Sequence, residues 1–319
     1  MLTARRSAWM PSIAVMLLCA GMVSGQDYPN KPIRIITGGA GGGSDFAARL
    51  VAQGITGPLG QPVIVDNRAT LPAIDAAAKA PPDGYTLYVG GGSLWIFPLL
   101  NKVTYDVVRD FSPIALLVRE VNVVAVNPSV AAKSIKELIA LAKAKPGALN
   151  YAMNIAGGPA HLGAELFKSL AGVNIVGVAY KSNAAGVTAV IGGEVQLLIS
   201  DASELMPHVK SGRLRALAVT SAEPSAMAPG LATVAASGLP GYESSGMTEI
   251  MAPAKTPGPI INRLNQEIAR HLNTAEIKER FFSAGAEVVA SSPEQLAAII
   301  KSDIAKWGKL IKDAGIKTN

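Results

Sequence analysis

Residues 38–45 read Gly-Gly-Ala-Gly-Gly-Gly-Ser-Asp, five glycines in six positions ahead of a hydroxyl and a carboxylate. An apolar stretch, Ile33-Arg34-Ile35-Ile36-Thr37, precedes them and a helical pattern follows. Glycine permits tight turns and lets a ligand approach the main chain closely. A helix opening at Ser44 would point its unpaired N–H groups and its positive dipole end at that turn. Strand, glycine turn and helix start together make an anion cradle, with Gly41, Gly42, Gly43, Ser44 and Asp45 as candidate contacts.

Several anion chemistries fail on spacing. Gly39 and Gly41 supply the first two glycines of a dinucleotide fingerprint, and Asp66 lies near the ribose-binding position, but Ser44 stands where the third glycine belongs. A phosphate-binding P-loop ends in Gly-Lys-Ser/Thr, and Gly43-Ser44-Asp45 has no lysine. A hydrolase elbow needs glycine two residues after its serine; Phe46 follows Ser44 and Trp95 follows Ser93 at that spacing. A triad assembled from scattered residues stays open, so a secreted serine-type hydrolase using Ser44 or Ser93 is the enzyme alternative. His161, His208 and His271 are far apart and form no metal-ligand spacing. No metal and no cofactor are expected.

The 319-residue chain opens with Arg5 and Arg6, an apolar run from Ile13 to Val23, then Ser24 and Gly25. This is the layout of a secretory leader over residues 1–26, with too short a run to span a membrane. Arg5-Arg6 also fits twin-arginine export. Cys19 would suit lipidation, except that Leu18 sits where a small residue is wanted. Cys19 is the only cysteine, so the exported chain is expected to lack disulfides and thiol chemistry. Loss of the two arginines lowers the formal charge of +6 by two. A mild positive balance suits anionic ligands. It lacks the basic stripe and interleaved aromatics of a nucleic-acid binder.

These turns need a scaffold. Strand-like runs at 33–37, 63–67 and 86–90 alternate with helical stretches from 44, at 72–80 and at 93–101. This is the pattern of a parallel sheet covered by helices. It resumes with Val121–Asn127, a Ser134/Glu137 capping box, and four short strands: Asn150–Asn154, Asn174–Tyr180, Val195–Ser200 and Arg215–Thr220. A strand near Thr248–Ala252 follows, then a helix start at Thr256-Pro257. A last helix is announced by Ser292, Pro293 and Gln295. Its Leu296, Ile299, Ile300, Ile304, Trp307, Leu310 and Ile311 recur at helical spacing, Trp307 reading as core. At 49% hydrophobic the chain can bury two cores. The C-terminal piece has too few strands for its own sheet and is expected to return over the first block. The chain then crosses between domains twice, near Phe111–Asn127 and Glu243–Pro253, which makes a hinge. The expected fold class is α/β, two domains with a ligand cleft between them: 27–120 plus 247–319, and 121–246.

Five polar turns follow strands: Gly38–Asp45, Gly90–Ser93, Asn154–His161, Tyr180–Ala184 and Ser200–Ser203. Ligands of open α/β sheets bind at the carboxyl ends of strands. The turns add Gly92, Ser93, Asn154, Gly157, Gly158, His161, Tyr180, Ser182, Asn183 and Asp201 to the candidate contacts. Amides and hydroxyls dominate and acid–base groups are few, which favours holding an anion over transforming it. Lys181 reads as a solvated charge.

More residues carry a family resemblance. Tyr28-Pro29 with Lys31-Pro32-Ile33, Gly41–Asp45 with Arg49, Leu59–Pro62, Val65–Arg68, Pro82–Leu87, Asp110–Pro113, Pro146-Gly147, His161-Leu162, Gly192-Gly193, Leu214–Val219 and Ala252-Pro253 run through nearly the whole exported chain. In these the chain resembles the periplasmic solute-binding proteins of tripartite tricarboxylate transporters, the Bug or TctC-like family. The resemblance implies a type II periplasmic-binding-protein fold that closes on a carboxylate. It implies delivery of the ligand unchanged to membrane permease subunits; the chain is expected to be a monomer, and a sensor that engages a membrane signalling protein is a third alternative. Backbone amides and hydroxyls of the five turns would hold the carboxylate, some through water. Three stretches depart from the family pattern: Ala69–Ile74 has lost glycines and gained apolar bulk, Ser182 replaces a glycine, and a tryptophan is missing around Gly246–Glu249. With Trp95 and Phe97, the apolar gain suits an aromatic or longer carboxylate as well as a di- or tricarboxylate.

Overall fold

The computed structural model describes residues 28–153 and 159–316. The leader, and the candidates Asn154, Gly157 and Gly158, lie outside the described residues. The chain begins β1 (Ile33–Thr37), α1 (Gly43–Leu59), β2 (Val63–Asn67), α2 (Thr70–Ala78), β3 (Thr86–Gly91), α3 (Ser93–Leu100), α4 (Val107–Asp110) and β4 (Phe111–Glu120). It continues as β5 (Asn122–Val126), α5 (Ile135–Ala144), β6 (Asn150–Met153), α6 (Pro159–Ala171), β7 (Val176–Ala179), α7 (Asn183–Gly192), β8 (Leu197–Asp201), α8 (Ala202–Lys210) and β9 (Arg215–Val219). It ends with β10 (Gly246–Pro253), α9 (Gly258–Leu272), α10 (Ala275–Ser283), β11 (Ala286–Val288) and α11 (Pro293–Asp313).

Two sheets form. One has the order β11-β4-β10-β3-β1-β2, the other β7-β6-β8-β5-β9. The β1, β2 and β3 strands are parallel, as are β6, β7 and β8. The strands that carry the chain between sheets run antiparallel: β10 against β3 and β4, β5 against β8 and β9. The β4 and β11 strands were not foreseen. The β4 strand hides in an apolar run broken by Pro113, and β11 is only three residues long.

Helices cover both faces of each sheet, as nearly continuous apolar strands require. In the first lobe Ile33, Ile35, Leu50, Ile55 and Leu264 fill one side, and Ile36, Tyr88, Trp95 and Met251 the other. The C-terminal segment does more than cover the first lobe. Leu296 and Ile300 of α11 pack there, whereas Trp307, Leu310 and Ile311 join the second lobe's core with Phe167 and Tyr242. A 21-residue helix is about 30 Å long, enough to reach both lobes. Trp307 is core, as its spacing predicts.

The caps follow the sequence closely. Ser292 and Gln295 close a full capping box on α11. Ser134 accepts the Glu137 N–H, but the Glu137 carboxylate reaches one residue further back, to the Lys133 N–H at 2.7 Å.

Candidate functional site

The glycine turn lies at the carboxyl end of β1. Gly42 caps α1 in extended backbone and has no side chain with which to bond the helix's first N–H groups, and no other described side chain bonds them. Gly41 has φ +84°, a conformation L side chains avoid. Asp45 is buried, and its carboxylate is already bound: Gly41 N–H donates at 2.9 Å, Asn67 Nδ2 at 2.8 Å, and Arg49 Nε lies at 3.0 Å. Burial pushes its acid up, but Arg49 foremost, then Gly41 and Asn67, hold it down at about 2. Asp45 therefore shapes the turn. Asn67 Nδ2 also donates to Gly38 O, and the pairing of β1 with β2 sets Asn67 beside Thr37.

The other candidates fall into four groups. Gly92 and Ser93 start α3, and Ser93 Oγ donates to Gly91 O at 3.4 Å. Ser182 caps α7 by accepting the Ala185 N–H at 3.2 Å. Ser182 and Asn183 border a small cavity of about 10 Å³ at the ends of β6 and β8, with Met153 and Ser200. Tyr180 packs instead with the α7–α8 core. Burial, then the Glu194 carboxylate just past the end of α7, push its phenol up. His161 lies on α6, 3.8 Å from Glu165 Oε1, which also accepts from Tyr151 and pairs with Lys168. Burial holds its imidazole below the ordinary value, hence mostly neutral near pH 7.

Asp201 ends β8 opposite Asn122 and begins α8, yet makes no side-chain cap. Burial, then Glu204, push its acid up. It lies at the crossing, where Val121 O accepts the Ala202 N–H at 2.7 Å and Thr220 O accepts the Ser244 N–H at 3.0 Å.

Sequence reasoning missed the polar groups of the crossing strands. Glu120 ends β4, part-buried, and burial plus Asp201 push its acid up to about 7. Glu249, in the middle of β10, is fully buried with both carboxylate oxygens unpartnered, and burial above all drives its acid well up. Thr37 Oγ1 and Ser245 Oγ are likewise buried and unpartnered among the described residues. Their one signal was an acid set inside an apolar strand run, as in Leu117-Val118-Arg119-Glu120-Val121. No group of three or more His, Cys, Asp or Glu suited to a metal occurs among the described residues. No described helix is long and apolar enough to cross a membrane.

Comparison with known proteins decides the class. Residues 47–316 match the model of the tripartite tricarboxylate transporter family receptor. The chain belongs to that family. BugT of Bordetella pertussis is 34% identical over 315 residues, covering 96% of this chain and 97% of BugT. An R. palustris protein solved with adipate superposes with a TM-score of 0.72 at 32% identity, covering 91% of this chain and 99% of its own. MatC from Rhodopseudomonas palustris, with bound malate, gives 0.68 at 26% identity, covering 89% and 100%. The chain is thus a solute-binding protein of this receptor family, with the two-domain α/β fold of periplasmic binding proteins.

Proposed function

We propose that this receptor captures a small organic acid between its lobes in the periplasm and hands it unchanged to the membrane permease of a tripartite tricarboxylate transporter. The observation that carries this reading is the uncapped start of α1 behind the glycine turn, held rigid by Asp45. Unpaired N–H groups at a helix start hold a carboxylate well. The relatives solved with adipate and malate support an acid as the solute. The proposed domain limits are 27–120 plus 247–319 and 121–246, and the two crossings support them. The contacts are Gly41–Ser44, Gly92, Ser93, Asn154, Gly157, Gly158, His161, Ser182, Asn183 and Asp201, with Asp45 and Tyr180 acting through the scaffold. The protein works as a monomer and performs no chemistry on its solute.

Mass spectrometry of whatever copurifies, followed by calorimetry with the acid identified, tests the reading. Binding at one site per chain, weakened when bulk is placed in the cradle by Gly42→Val, is the expected result. Saturable binding of no organic acid at all would end it.

A further inference from the structure

The two lobes also touch outside the crossings and α11. Ser225, in the segment that follows β9 in the second lobe, donates from Oγ to Glu287 Oε1 of β11 in the first, at 2.6 Å. Ser225 is buried, and its Oγ accepts the Met227 N–H at 3.1 Å, which leaves its own hydrogen free for Glu287. Met227 packs with the α7–α8 core, so the donor belongs to the body of the second lobe. The lobes come close beside this bond. Gly285 has φ +91°, and a Cβ there would lie 2.5 Å from Ser203 Oγ of α8.

The acceptor has a second partner within reach and does not use it. Glu287 stands directly opposite Arg119 in the pairing of β11 with β4. Side chains so opposed have their Cβ atoms about 5 Å apart on one face of the sheet. Yet Arg119 Nε is buried and without a hydrogen-bond partner. A guanidinium holds a carboxylate more strongly than a hydroxyl does, and opposed opposite charges favour pairing. Glu287 is instead turned to the other lobe.

The solute candidates lie uncovered in this arrangement. Gly41, Gly42 and Gly43 of the cradle and Ser182 and Asn183 of the second lobe are all exposed, and a Cβ on Gly41 would meet nothing within 4 Å. The Ser225–Glu287 bond is therefore made with the gap open. In the sheet order β11-β4-β10-β3-β1-β2 the two crossing strands stand between β11 and the cradle at the end of β1. A rotation about the crossings that brings the cradle towards the second lobe swings β11 away from it. We infer that Glu287 is a partner-exchanging brake on closure: it holds Ser225 while the gap is open, and on closing it leaves Ser225 and pairs with Arg119. This rests on the reading of the interlobe gap as the solute site and names what regulates its closing. The ion pair gained offsets the hydrogen bond lost, so the two forms lie close in energy and a small solute tips the balance between them.

Small-angle scattering without solute, and calorimetry with adipate and malate as probes, test it. Ser225→Ala removes the bond that holds the open form. Its solute-free radius of gyration should be smaller than the parent's, and it should bind whichever probe the parent binds about 3- to 10-fold more tightly, the range of one such hydrogen bond. Arg119→Met keeps most of the bulk and removes the second partner. It should bind the same probe about 3- to 10-fold more weakly, with a solute-free radius no smaller than the parent's. Neither residue is among the proposed solute contacts, and melting curves check that each variant folds. Loss of packing alone would move both affinities the same way, so opposite signs are the mark of the exchange. A Ser225→Ala radius equal to or larger than the parent's, or affinities that do not move in these opposite senses, overturns this inference and leaves the solute reading standing. A parent that binds no organic acid removes the solute reading instead, and the radius of Ser225→Ala still decides whether the brake exists.

Discussion

Asp45 shows how one side chain sets the cradle. Its ordinary acid strength is shifted down to about 2 by Arg49, Gly41 and Asn67 against the opposing effect of burial. A depressed carboxylate stabilises the fold above its unfolded value and loses that contribution as pH falls through the folded value. Asp45→Asn should therefore cost about 2 kcal/mol at pH 7, and the deficit should shrink as pH falls towards 2. Urea titrations at a series of pH values would show this, and a deficit independent of pH would mean that the turn is held some other way. Glu120 carries the opposite sign. Its acid is raised to about 7, so between pH 4.5 and 7 the unfolded chain loses its proton first and the fold weakens as pH rises. Glu120→Gln should melt higher than the parent at pH 8, by about 1–3 kcal/mol, and nearly level with it at pH 4.5. The glycine turn was legible in the sequence because five glycines beside a helix start have few other uses. The role of Asp45 was not, because Asn67 reaches it only through the pairing of β1 with β2. Glu120 and Glu249 showed in the sequence only as acids within apolar runs, since β4 and β10 become neighbours only after the chain has built the second lobe and returned.

The elements divide along the same line. Those with local signals read correctly. The parallel strands came from apolar runs, and α11 from a cap, a proline and a helical stripe. Elements defined by distant partners did not: β4 and β11 exist because β10 and β4 offer them edges. The course of α11 is of this second kind. Its apolar stripe is continuous, but its two halves serve different cores. Lys306 adds a tie to the Glu243 carbonyl beside the second crossing. Trp307→Ala removes a buried indole from the second lobe's core and should cost about 3–5 kcal/mol. Because Trp307 lies on the helix that joins the lobes, calorimetry of this variant should show a broadened or divided transition. A single sharp peak at lower temperature would show that the lobes unfold together without α11. Ser292→Ala, at the other end of the same helix, should cost about 1 kcal/mol and leave the transition single.

At the scale of the molecule the lobes are joined three times, by residues 120–122, by residues 244–246 and by α11. The two strand crossings lie side by side, with Thr220 bonded to Asn122 and Ser244 to Thr220. In the proposed function, rotation about them is what opens and closes the gap. The α11 helix bridges the lobes through packed apolar contacts and so resists wide opening. A solute held by both lobes is expected to shift the population to the closed form and to add about 2.7 kcal/mol of stability at a hundredfold excess over its dissociation constant. Small-angle scattering should then record a smaller radius of gyration with saturating solute. Trp307→Ala should enlarge the solute-free radius, because the bridge is weakened, and should lower affinity, because closed forms are rarer before binding. Its solute-bound radius should match the parent's, since none of the proposed solute contacts lies on α11. If the bound radius stayed large, closure would depend on the helix itself, and the two crossings would be tethers and not the hinge.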